Sequence, residues 1–301
     1  VEFLLYKWSH SPGQYGKMEE MDMQFTQQAI ESYRRWLIGM ERSRGTISQY
    51  LRDIQSLYLF LPEGQELDRE QVQLWKASLA EKGLAPSTIN AALTAVNGFF
   101  RFMHWEELTV RLLRRQKQLF RDNERELTRK EYMRLVQTAA RQGKNRLSLI
   151  MQSICATGIR ISELRFLTVE ALHTGRAMVD CKGKNRVVLI PNELKRMLMR
   201  YVKEKGLLSG PVFVTKKGRP VDRSNVWHEM KKLCQQAGVN ARKVFPHNLR
   251  HLFAVTFYRQ QKDLAKLADI LGHSSIETTR IYAMESGAEH QRMINALHLT
   301  L

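Results

Sequence analysis

Three short stretches of this 301-residue chain hold the side chains best suited to chemistry. Residues 157–163, Thr-Gly-Ile-Arg-Ile-Ser-Glu, carry Arg160; residues 246–251, Pro-His-Asn-Leu-Arg-His, carry His247 and Arg250; residues 271–282 run from Leu-Gly-His to a tyrosine and carry His273 and Tyr282. Two arginines and two histidines could neutralise one phosphate without a metal, because guanidinium presents a planar fork of donors to phosphate oxygens. A tyrosine hydroxyl close by could attack that phosphorus. The set points to phosphodiester cleavage on nucleic acid.

The chain's charge agrees with that chemistry. It has 48 Lys+Arg against 30 Asp+Glu, a formal net charge of +18. Such an excess favours a polyanionic partner, since neutralising phosphates releases condensed counterions; a basic but uninvolved surface is the plain alternative. The three cysteines, Cys155, Cys181 and Cys234, are scattered without a CxxC, which argues against a disulfide framework or a zinc ribbon. No stretch approaches the ~18–20 apolar residues of a membrane span, and residues 1–6 are too short and charged for a signal peptide. A cytoplasmic location without membrane association is expected. No carboxylate cluster suits Mg²⁺ and no glycine-rich loop suits ATP, so neither metal nor cofactor is expected.

The length suggests two domains. Residues 1–22 read as a loose leader. Residues 23–110 are helical throughout: Ala29, Tyr33, Trp36, Leu37 and Met40 share one face, as do Ile47, Leu51, Ile54, Tyr58 and Leu61. A third helix over about 68–82 stops near Gly83. Pro86 opens a fourth with the stripe Ile89, Leu93, Val96, Phe100 and Met103. Residues 111–126, dense in charge, read as a basic linker or an exposed helix end. The second domain, 127–301, mixes types. Thr128 and Glu131 form a capping box for a helix over 128–141. Further helices are expected at 145–157, 192–205, 222–237, 247–260, 263–271, 275–284 and in the tail at 287–298. Ala177–Cys181 and Arg186–Ile190 read as strands joined by the turn 182–185, and Val212–Val214 as another short strand.

Local pattern constrains the reactive residues. Gly158 would stop its helix just before Arg160. His247 and Arg250, three apart behind Pro246, share one face of a helix whose N-terminus favours an anion. His251 points about 100° away around that helix and suits a supporting role. Ser274 and Glu277 form a second capping box. On a continuous helix, Tyr282 would lie roughly 13 Å along the axis from His273. That helix must therefore bend or end first, or Tyr282 must serve a neighbouring subunit's site.

Thr-Gly-x-Arg-x-x-Glu, then His-x-x-Arg-His, then Leu-Gly-His with a tyrosine nine residues on, resembles the tyrosine recombinase (phage integrase) family across 127–301. The helical domain, with Thr46-Ile-Ser-Gln-Tyr50 and Ser87-Thr-Ile-Asn-Ala-Ala-Leu93, is similar to that family's core-binding domain. The resemblance implies a mainly α fold with a small β-hairpin, two domains closing as a C-shaped clamp on double-stranded DNA, and four protomers on two DNA sites. It admits accessory DNA-bending or directionality proteins. It assigns Arg160 and Arg250 to clamping the scissile phosphate, His247 and His273 to further hydrogen bonds, Glu163 to support, and Tyr282 to attack. The family's general-acid lysine sits on the hairpin turn, one residue shorter here; Lys182 is the candidate and Lys184 the alternative. The implied reaction is strand exchange through a 3′-phosphotyrosyl link and a four-way junction, with integration or excision of a mobile element as the setting and chromosome-dimer resolution as the alternative. A type IB topoisomerase or a non-catalytic DNA-binding protein would share parts of this pattern. The segment from about 285, with Met293, Ile294, Leu297 and Leu299, could pack on a neighbouring protomer or on its own domain.

Overall fold

The computed structural model describes residues 25–62, 67–114, 123–181, 184–215, 218–283, 291–292 and 295–297. The chain falls into two compact units divided between residues 117 and 118. The first holds helices α1 (Gln27–Gly39), α2 (Arg44–Tyr58), α3 (Arg69–Glu81) and α4 (Pro86–Phe102). Side-chain oxygens of Thr26, Ser43 and Asp68 cap the first three, and Pro86 opens the fourth. Helix α4 is the axis of this core. Its Ile89, Leu93, Val96, Phe99 and Phe100 are buried, and Tyr33 meets Phe99 edge-on at 5.5 Å. On α1 the buried face is Ala29, Ile30, Tyr33 and Leu37, whereas Trp36 and Met40 are exposed. The stripe expected there is thus one step broader than the surface α1 buries.

Residues expected to begin a linker are instead held on this unit. Asn97 brackets Val110, donating to its carbonyl at 2.8 Å and accepting from its N–H at 3.1 Å. Asn90 brackets Leu113 in the same way, at 2.9 and 2.8 Å. The geometry matches: seven residues of helix rise about 10.5 Å, and three extended residues span about 10 Å. Lys76 adds a bond to the Arg111 carbonyl at 2.7 Å. At the far end of the expected linker, Asn123–Arg125 form a 3-10 turn, and the buried Asn248 donates to the Arg125 carbonyl at 2.8 Å.

The second unit contains α5 (Arg129–Arg141), α6 (Asn145–Thr157), α7 (Val169–Thr174), strands β1 (Arg176–Cys181) and β2 (Lys184–Leu189), and helices α8 (Asn192–Lys205), α9 (Arg223–Ala237), α10 (Pro246–Gln261), α11 (Leu264–Leu271) and α12 (Ile276–Arg280). The Thr128–Glu131 capping box opens α5. Helix α6 buries Leu147, Leu149, Ile150, Met151 and Ile154 on nearly every side, as a helix apolar all round must. It packs on α5, α8, α9 and α10. Of the expected 287–298 helix, most lies outside the described residues.

Two strand expectations change. β1 and β2 pair antiparallel with Asp180 opposite Asn185 and Cys181 opposite Lys184. Only residues 182–183 then separate the paired positions, not 182–185, and Lys184 belongs to the ladder. Val212–Val214 is not a strand: among the described residues the pairings there are isolated bridges, Thr168 with Pro211 and Val214 with Pro220. Each bridge contains a proline, which has no N–H to extend a ladder.

Gly158 closes α6 in the left-handed region, with φ 65°. A Cβ there would stand 2.6 Å from Phe253 Cδ1 and 2.9 Å from a Leu271 methyl. Gly158→Ala therefore combines backbone strain with overpacking, and should lower unfolding free energy by about 2–4 kcal/mol. Denaturant titration reads this directly, and unchanged stability would contradict the packing described.

Candidate functional site

The end of α6 and the start of α10 meet at Arg250. This arginine is 2% exposed, yet among the described residues no carboxylate pairs with it directly. Its Nη1 donates to the Gly158 carbonyl at 2.6 Å and its Nη2 to the Leu271 carbonyl at 2.8 Å. Both carbonyls are freed at helix ends, where intrahelical partners run out. Nη2 also lies 3.0 Å from His273 Nε2. Guanidinium can only donate, so Nε2 accepts, and the ring proton sits on Nδ1, which donates to Thr279 Oγ1 at 2.8 Å. Burial, then the charges of Arg160 and Arg186, bring Arg250 down to about 10, so it stays charged at neutral pH.

Arg160 leaves Gly158 on extended backbone and heads a 3-10 turn, Ile161–Phe166. Glu163, 1% exposed, holds it twice: Oε1 accepts from Arg160 Nη1 at 2.8 Å, and Oε2 from the Arg160 N–H at 2.9 Å. Burial raises the Glu163 pKa, but the Arg160 hydrogen bonds and the Arg186 charge outweigh it and leave the carboxyl below the usual range.

The imidazoles of His247 and His273 are neutral at neutral pH. Burial, followed by the arginine charges, lowers His247 and takes His273 down to about 4. Positive charge in the cluster therefore resides on guanidiniums. In this structure the His273 Nε2 accepts from Arg250; the expected donation to a phosphate concerns the DNA-bound site.

Tyr282 reaches the cluster within its own chain. Helix α12 ends at Arg280, and the Tyr282 N–H bonds the Thr279 carbonyl at 3.0 Å, a tight turn that folds the chain back. The helix is capped by Ser275 rather than Ser274, so the expected Ser274–Glu277 box does not form. Tyr282 is 3% exposed, with its ring 6.3 Å from that of His273 and 5.1 Å from that of His251. Burial raises its pKa against the opposing Arg250 charge and hydrogen bond, so the phenol is protonated at rest. His247, Arg160 and Arg250 line a cavity of about 810 Å³ that also touches Ser162, Arg223 and Trp227.

Lys182 lies outside the described residues, and of Lys184 only the backbone pairing is described. Two partners escaped the sequence reading. His251 bonds Glu126 at 3.0 Å, with its ring tilted against that of Tyr282 at 5.1 Å. Arg186 bonds Glu163. Burial in the structure puts Arg186 on the inward, period-two face of β2 with Val188, while Val187 and Leu189 face out; the residue types alone do not choose between the two faces. Among the described residues no group of three or more His, Cys, Asp or Glu could hold a metal, and no helix is long and apolar enough to cross a membrane.

Comparison with known proteins gives the class first. Residues 125–289 match the Phage integrase family, and residues 30–107 match its companion, the Phage integrase N-terminal SAM-like domain. The chain belongs to the phage integrase family, the tyrosine recombinases, whose members are site-specific DNA strand-transferases. Among individual relatives, it is 29% identical to tyrosine recombinase XerA of Thermococcus kodakarensis, covering 88% of this chain and 93% of that protein. Identity to tyrosine recombinase XerD of Oceanobacillus iheyensis is 26%, covering 90% and 98%. In fold it is similar to a lambda integrase tetramer bound to a Holliday junction, with TM-score 0.69 at 17% identity over 86% of this chain and 78% of that one.

Proposed function

We propose that this chain cuts and rejoins double-stranded DNA at paired sites through a 3′-phosphotyrosyl link on Tyr282. One observation carries the reading: segments 157–163, 246–251 and 271–282 meet through Arg250, with Tyr282 against the same cluster. Arg160 and Arg250 hold the scissile phosphate at the mouth of the cavity, and His247 borders the same space. Tyr282 oxygen bonds to phosphorus, the bond to the 5′ oxygen breaks, and the phenolic proton passes to a neutral imidazole, with His247 the first candidate. Negative charge built on the nonbridging oxygens falls among fixed donors, where it is stabilised without reorganisation.

The leaving 5′ oxygen needs a proton, which we assign to Lys182, with Lys184 as the alternative. Lys182→Ala should slow cleavage by roughly 10²–10⁴-fold, the usual span for a general acid. A DNA whose leaving atom is 5′-sulfur needs no such proton and should restore the rate. Rescue confined to Lys184→Ala would move the role to that residue.

The free 5′ hydroxyl then attacks the phosphotyrosine of a partner duplex, passing through a four-way junction. Four protomers on two sites accommodate this, and the shared fold with a junction-bound lambda integrase tetramer supports it. For the setting, mobile-element integration or excision and chromosome-dimer resolution both use this chemistry. Kinship along nearly the whole chain with proteins named XerA and XerD favours the second.

The deciding experiment selects binding sites from random DNA and supplies two duplexes carrying them. Exchanged products and a trapped junction are expected. Relaxation of supercoiled DNA without exchange would assign a topoisomerase instead.

A further inference from the structure

Arg186 sits on the inward face of β2, 12% exposed, and the phosphate-clamp reading gives it no part. Its Nη2 donates to Glu163 Oε2 at 2.5 Å, the same oxygen that accepts from the Arg160 backbone. Its Nη1 donates to the Ile270 carbonyl at 2.5 Å, in the last turn of α11, three residues before His273. Between these two anchors the side chain crosses Gly272, where a Cβ would lie 2.4 Å from Arg186 Cδ. One guanidinium thus spans three separate segments: β2, the turn after Arg160, and the end of α11.

We propose that Arg186 is a positioning residue for strand transfer: by bridging the Glu163 carboxylate to the Ile270 carbonyl, it fixes the Arg160 guanidinium and the turn that presents His273. The inference rests on the phosphate-clamp reading above. Each Nη of Arg186 gives a bond to a protein acceptor, which is why its part is placed in bracing rather than in holding phosphate. Arginine is required for geometry rather than charge. Two acceptors on different segments match the two ends of a planar fork, whereas a lysine concentrates its donors on one atom. Without Arg186, Glu163 still holds Arg160, but the carboxylate and the α11 end lose the brace that ties them to β2. Gly272 belongs to the same device, since it leaves the space through which the side chain runs.

The test uses the full chain and single-turnover cleavage of a suicide duplex, with duplex affinity and thermal melting measured alongside. Arg186→Ala should slow adduct formation on the order of 10²-fold, the scale of a small misplacement of catalytic groups. Affinity for uncut duplex should hold. Arg186→Lys, which keeps the charge, should remain slow; it also carries the test if the alanine variant melts early. In an Arg160→Ala background, Arg186→Ala should add little further loss, because both changes disable one unit. Fully multiplied losses, or unimpaired cleavage by Arg186→Lys, would overturn the positioning role. A residue acting only through overall stability would multiply its loss and lower the melting temperature as well. If Arg160→Ala alone cleaves at full rate, the clamp reading itself falls; a slow Arg160→Ala beside a fast Arg186→Ala sinks only the present inference.

Discussion

Tyr282→Phe should abolish the covalent DNA adduct on a suicide substrate while leaving duplex binding intact. The substitution removes one oxygen and keeps the ring, which packs at 3% exposure with Ala254, Val255, Leu267 and Leu271. The fold should therefore lose no more than about 1 kcal/mol, the worth of a single hydrogen bond. Affinity should survive because phosphate contacts come from the cationic surface and the arginine pair rather than from the phenol. Cleavage should fall on the order of 10⁶-fold, the scale seen when a nucleophile is deleted from an otherwise complete site. A denaturing gel resolves protein-linked from free DNA. Adduct persisting in Tyr282→Phe would place the nucleophile elsewhere.

The second large effect is expected at Arg250, where catalysis and folding share one side chain. Arg250→Ala removes a principal donor to the phosphate and should cost on the order of 10²–10³ in single-turnover rate. It also orphans the Gly158 and Leu271 carbonyls and the His273 Nε2. An unsatisfied buried acceptor costs about 1–3 kcal/mol. The vacated space borders the open cavity, so water can recover part of that loss, and the net destabilisation should be about 2–4 kcal/mol. Arg250→Lys separates charge from shape. Lysine preserves the charge but cannot hold two carbonyls and an imidazole as a planar fork does. Its cleavage should remain slower by on the order of 10²-fold, with a smaller drop in melting temperature. A lysine variant that cleaves at the original rate would show that positive charge alone suffices, contrary to the geometry of this site.

Much of the cluster was legible because its signals are local. Gly158 ending α6, Pro246 opening α10, and the Thr128–Glu131 box opening α5 each depend on a few neighbouring residues, and each forms where the pattern places it. His247 and Arg250 on one helical face follow from helix period alone. Signals that failed were those competing with distant contacts. Ser275 rather than Ser274 caps α12, in a turn where His273 is already tied to Arg250 and Thr279. The apparent four-residue turn at 182–185 shortened because cross-strand pairing continued to Cys181 and Lys184. Residues 111–126 were read as linker, yet Lys76 of α3 binds the Arg111 carbonyl and Asn90 of α4 brackets Leu113.

The sequence by itself determined which reactive side chains exist, their order, and the helix starts and stops that aim several of them, since capping and periodicity act over a few residues. Tertiary structure alone decided that Tyr282 folds back beside its own chain's arginines, that His273 faces Arg250 as an acceptor, and that Arg186 braces Glu163. Those outcomes depend on burial and hydrogen bonds between segments up to about a hundred residues apart. Local preference cannot specify such pairings, because their free energy is realised only when the distant partner is already in place.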